Sequence, residues 1–145
     1  MKTKTEIKKF VLDTLLPYKN DPSTCGYDEG TKNCKYQAAN GNMCAFGKHM
    51  TSAALTKYQD SGEAASTIIE SDGYDILTSQ ARSMNFTELQ WDVIQNYHDR
   101  IADSQSVMLS KDRIHNGATH GANRAVKGIE QEFDIDFPQL RLEHN

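Results

Sequence analysis

The sequence predicts a mainly α (α+β) fold: one compact domain spanning residues 1–145, with five or six helices and one small β-hairpin. Three observations lead there. Apolar residues recur at three- and four-residue spacing in several segments, the period of a helix buried along one face. Asn40-Gly41 sits between short mixed runs, NCKYQ and MCAF, and supplies the positive φ that a tight hairpin turn needs. A chain of 145 residues is also long enough for one core without disulfides or metal.

The elements follow in chain order. Ile7, Phe10, Val11 and Leu15 mark an amphipathic helix over 5–16, with Thr3 or Thr5 as its cap and Pro17 as its end. YKNDPSTCGYDEGTKN has the chemistry of tight turns. The hairpin comes next, its second strand giving way to helix near Ala45, with Gly47 allowing close packing. Residues 51–59 and 62–70 read as short helices around the turn SGEAAS. DGYDILTSQARSM reads as another, with Ile76, Leu77 and Ala81 inward.

The best-specified helix covers 87–104. Thr87 and Gln90 form a capping box, Phe86 staples against Trp91, and Leu89, Val93, Ile94, Tyr97 and Ile101 form one apolar stripe. IHNGATHGAN reads as a Gly/Asn-rich break. Thr119 to Phe133 is helical again, with Ala122, Val126, Ile129 and Phe133 inward. The tail DIDFPQLRLEHN packs through Phe137, Leu140 and Leu142, and Pro138 prevents a regular helix there.

Composition narrows the function classes. The formal charge is −4, from 16 basic and 20 acidic residues, which argues against broad, non-specific phosphate-backbone binding. No run approaches the ~18 apolar residues of a membrane helix. Asp13 and Thr14 interrupt FVLDTLL and no small-residue cleavage site follows, so the N-terminus does not read as a leader. Three cysteines cannot all pair within one chain, and the expectation is a cytoplasmic protein in a reducing compartment. No Walker loop or dinucleotide G-x-G-x-x-G is present. EQEFDIDF lacks calcium-loop spacing and reads as a solvated acidic edge.

All three cysteines, Cys25, Cys34 and Cys44, fall in the block 25–49. Within it stand Cys34-Lys35-Tyr36, Gly41 and Cys44-Ala45-Phe46-Gly47, and a later helix carries Ile94-Gln95-Asn96-Tyr97-His98-Asp99. Over residues 34–99 this resembles a loose group of small phage and bacterial proteins that carry C-x-Y, a Gly-containing turn, C-A-h-G and then h-Q-x-x-H-D (h apolar). The resemblance implies a phage or mobile-element setting and treats the two motifs as one structural unit. It brings no catalytic role with it.

The residues themselves leave three readings open. Cys44 at a helix start has its thiolate favoured by free N–H groups, and His98 is the base type that a thiol nucleophile needs, in an acyl-transfer or hydrolytic reaction. Adjacent helix positions diverge by about 100°, so Gln95 is the better-placed partner for His98 than Asp99. In the second reading Cys25, Cys34, Cys44 and His49 hold a structural zinc, with His98 able to replace His49; their spacings are not those of paired C-x-x-C knuckles. In the third, the cysteines pack as small hydrophobes, Cys34 facing Cys44 beneath Tyr36 and Phe46, while His98 and Asp99 tie the hairpin backbone to the long helix. His115 and His120, with Arg124 nearby, read as a solvated loop. The leading expectation is a non-enzymatic, phage-encoded accessory factor that binds a host or phage macromolecule, with its oligomeric state open.

Overall fold

Helix α1 (Lys4–Asn20) begins at Thr3, which forms a full capping box with Glu6. The helix does not end at Pro17 as the sequence predicts. Proline there forgoes a bond to the carbonyl of the preceding turn, but the turn it opens carries Tyr18, which is buried and donates its hydroxyl to the Met43 carbonyl at 2.6 Å. The computed structural model describes residues 2–28, 33–107 and 114–142.

Beyond α1, strands β1 (Tyr27–Asp28) and β2 (Asn33–Cys34) pair antiparallel, with Tyr27 opposite Cys34. The hairpin expected over 33–46 is not a strand pair. Around Asn40-Gly41 the chain makes a turn with a single bridge, Gln37 to Met43, and Gly41 takes φ +90°. Asn33 and Cys34 pair with β1 instead, and Phe46 gives its N–H to Gln95, so no ladder extends from the turn. A 3₁₀ turn (Gly47–His49), rather than a helix from Ala45, leads to α2 (Ser52–Tyr58), capped by Thr51.

Helix α3 is Ala65–Asp72. The single helix expected over DGYDILTSQARSM is broken into a 3₁₀ turn (Tyr74–Ile76) and α4 (Ser79–Ser83), because Thr78 caps a new start by accepting the Ala81 N–H. Ile76, Leu77 and Ala81 are buried as expected. Helix α5 (Glu88–Val107) carries the predicted cap: Thr87 N–H donates to Gln90 Oε1 at 2.9 Å, and Gln90 N–H to Thr87 Oγ1 at 3.1 Å. Leu89 departs from the predicted stripe and is 61% exposed.

Helix α6 (Ile114–Phe133) packs along α5. It runs through Gly117 and His120, where the sequence predicts a break. The burial of Ala122, Ala125, Val126 and Ile129 against the core outweighs the low helix propensity of its glycines. His120 is exposed on this helix; the His115 side chain, and any loop at 108–113, lie outside the described residues. The tail packs as predicted, with Phe137 and Leu140 fully buried and Leu142 partly so.

The core gathers around Trp91 at the start of α5. Its ring meets Phe86, Phe46 and Phe10 at centroid distances of 5.3, 5.4 and 6.1 Å. One residue set thus joins α1, the cysteine block and α5. No described helix is long and apolar enough to cross a membrane.

Candidate functional site

Successive turns of α5 present Gln95, His98 and Asp99 to the cysteine block, and the contacts are specific. The backbone N–H of Gly26 donates to His98 Nε2 at 3.0 Å. That leaves the ring proton on Nδ1, which donates to Asp99 Oδ1 at 2.9 Å. Asp99 Oδ1 also accepts from Gln95 Nε2 at 2.8 Å. Gln95 Oε1 in turn accepts the Phe46 N–H at 2.9 Å. The array begins on one backbone amide of the block and ends on another.

Asp99, not Gln95, orients His98, contrary to the sequence expectation. Cβ directions do diverge by about 100° between neighbours. Nδ1, however, is the ring nitrogen nearest Cβ and stays close to the helix surface, within reach of the next residue's carboxylate. Gln95 serves as the bridge between Asp99 and Phe46. The His98 ring is fully buried and meets Tyr18 edge-on at 4.6 Å.

Two glycines let the block approach this closely. A Cβ on Gly26 would collide with the backbone of Cys44 and Lys35, and one on Gly47 with the Tyr36 carbonyl. Gly47 is legible from the motif. Gly26 carries no sequence signal beyond its neighbourhood, yet it supplies the N–H that His98 accepts.

The cysteines occupy different surroundings. Cys44 is fully buried, and its sulfur accepts the Gly47 N–H at 3.2 Å. Burial pushes its thiol up to about 12, against the opposing pull of that N–H. Burial, reinforced by Asp99, also pushes Cys25 up to about 12. Cys34 is half-buried against Asp99, and burial and that carboxylate hold its thiol well above the usual range. The Cys44 thiol is thus held protonated, and both His98 nitrogens are already engaged.

The metal set read from sequence is not assembled as such. Among the described residues, the potential ligands that come together in a group of three are Cys34, His98 and Asp99, with atoms within 4.8 Å of one another. His49 lies elsewhere: its Nε2 is 2.9 Å from Thr14 Oγ1, and its ring stacks on Phe10 at 4.7 Å. Thr14 donates its hydroxyl proton to the Phe10 carbonyl, so it accepts from His49. The Cys34–His98–Asp99 group fits a zinc ion poorly. Ligation through Nδ1 would move the ring proton to Nε2, where it would face the Gly26 N–H.

The outer side of this array forms the wall of an open cleft of about 360 Å³. Cys34, Tyr36, Asp92, Asn96 and Asp99 line it, and residues 61–65 close its far side. The Tyr36 hydroxyl donates to the Glu63 carbonyl, fixing the floor. Asp92 Oδ1 accepts the Ser66 N–H at 2.9 Å and so caps α3, whose own N-cap, Ala64, has no side-chain acceptor. No protein-family model, no curated protein and no solved structure matches this chain.

Proposed function

We propose that this protein is a non-enzymatic interaction protein, a phage- or mobile-element-encoded accessory factor that binds a host or phage protein in the cytoplasm. The observation that supports this reading most is the fate of the chemically capable residues. His98, Asp99 and Gln95 spend their polar atoms on one another and on the Gly26 and Phe46 amides. Cys44 is buried, with its thiol held protonated. A set so engaged ties the cysteine block to α5 and turns the block's outer side into a shaped, polar surface. A binding surface of that kind needs neither a nucleophile nor a resident cofactor.

The reading is tested by capturing partners with the folded protein under near-physiological salt. A saturable one-to-one complex with a cellular or phage protein is expected. Recovery of nothing above an unrelated acidic control, together with rapid alkylation of Cys44 in the native state, would overturn it in favour of thiol chemistry.

A further inference from the structure

We infer that the acidic face of α5 docks a basic, partly apolar segment of a partner protein, which places a lysine or arginine side chain in the cleft beside Tyr36. This rests on the interaction reading above and names the surface and the chemistry of its partner.

Helical geometry gathers the face. At about 100° per residue, Glu88, Leu89, Asp92, Asn96 and Asp99 all fall within an arc of roughly 100°. Like charges at such spacing destabilise an isolated helix. The repulsion is compounded by Glu70 of α3, which lies against Glu88; burial and that carboxylate raise the Glu88 carboxyl. The basic residue in the cleft wall, Lys35, is already held by Asp60 at 3.1 Å. Around the cleft, Asp92, Asp99 and Glu63 therefore leave an excess of negative charge.

The apolar component is independent of the charge. Two large apolar side chains stand out as exposed among the described residues, Tyr74 at 40% and Leu89 at 61%, and both border the acidic row. Leu89 follows Glu88 in α5, and the Tyr74 phenol is raised first by partial burial and then by the nearby Glu88 charge. Apolar anchors beside charges of one sign match an amphipathic segment of opposite charge. The row from Glu88 to Asp99 extends roughly 16 Å along the axis, too far for its carboxylates to converge on one ion and suited to a stretch of polypeptide.

The test is an NMR titration of the full chain with a short acetylated, amidated peptide of arginine and leucine, using spermine and magnesium as competing probes. The comparison variant is Glu63→Gln, Glu88→Gln and Asp92→Asn combined. Asparagine keeps the acceptor that caps α3, and Glu88→Gln removes a repulsion, so the variant is expected to hold its Tm. Amide shifts confined to residues 34–36, 61–66, 74 and 88–99, weakened about tenfold or more in the variant, are expected. Shifts scattered over the whole surface, undiminished binding by the variant, or equally tight binding of spermine or magnesium would overturn the proposal. A native partner retained equally by wild type and variant would also overturn this face while leaving the interaction reading intact. Absence of any partner together with absence of peptide binding would remove both.

Discussion

The Gly26 amide donates to His98 Nε2 across 72 residues of sequence, and this bond fixes the tautomer of a fully buried imidazole. Everything around the ring follows from it. The proton must sit on Nδ1, Asp99 must accept it, and Gln95 is left to carry the connection to Phe46.

His98→Ala removes the acceptor for Gly26 and the donor for Asp99, and opens a cavity beside Tyr18. Its expected cost is about 3–5 kcal/mol of unfolding free energy. His98→Gln keeps an acceptor of similar reach and is expected to cost about half as much. Urea unfolding monitored at Trp91 measures both. An alanine variant as stable as wild type would show that the bond to Gly26 carries no weight in the fold.

Gly47→Ala puts a methyl into the Tyr36 carbonyl, with no flexible side chain to give way. A loss of about 2–3 kcal/mol is expected. Gly62 has open space around its Cβ position and no positive φ, so Gly62→Ala is expected to be neutral or to stabilise by about 0.5 kcal/mol. Thermal unfolding of the two variants side by side separates close packing from chain entropy.

Burial, aided by the charge of Lys48, lowers His49 to about 4. The unfolded chain therefore binds a proton more readily than the folded one. The stabilisation by neutral His49 is complete above its ordinary value near 6.5 and drains away as pH falls toward 4. The loss is at most about 3 kcal/mol, since the ring is not wholly enclosed. Urea midpoints at stepped pH should fall across this window in wild type and flatten there in His49→Gln, which keeps a donor for Thr14. Equal slopes in the two proteins would refute the assignment.

Thiol labelling at mildly alkaline pH should leave Cys25 and Cys44 unmodified until the chain unfolds, because burial pushes both up to about 12. Cys34, half-buried beside Asp99, should label more slowly than a free thiol. Added zinc or a strong chelator should leave the Tm unchanged. A zinc-induced rise abolished by His98→Gln would establish the metal site that the tautomer argues against.

The parts of the fold read correctly from sequence are those where local signals and burial agree. The Thr87/Gln90 cap, the inward face of α6 and the packed tail are all of this kind. The departures arise where tertiary contacts decide. Pro17 lies inside α1 because Tyr18 beyond it is buried and donates to the Met43 carbonyl. Gly117 and Gly121 stay helical because α6 has α5 to lie on. Asn40-Gly41 makes the expected turn, but its flanks pair elsewhere, Asn33 and Cys34 with β1 and Phe46 with Gln95. At the candidate site, composition nominated His98, Asp99, Gln95 and the cysteines, and missed Gly26. A backbone amide has no letter of its own, so its partner on a helix far along the chain cannot be read from spacing.

Two lysines of helix α1 find partners far along the sequence. Lys4 reaches Asp134 across 130 residues, and Lys19 reaches the Gln139 carbonyl across 120. Forming these contacts closes very large loops, so they add to the long-range character of the fold. Phe10 and Tyr18 lie on Trp91 and His98, while Lys4 and Lys19 reach residues 134–139, so α1 clasps the middle of the chain and its tail together and couples their unfolding.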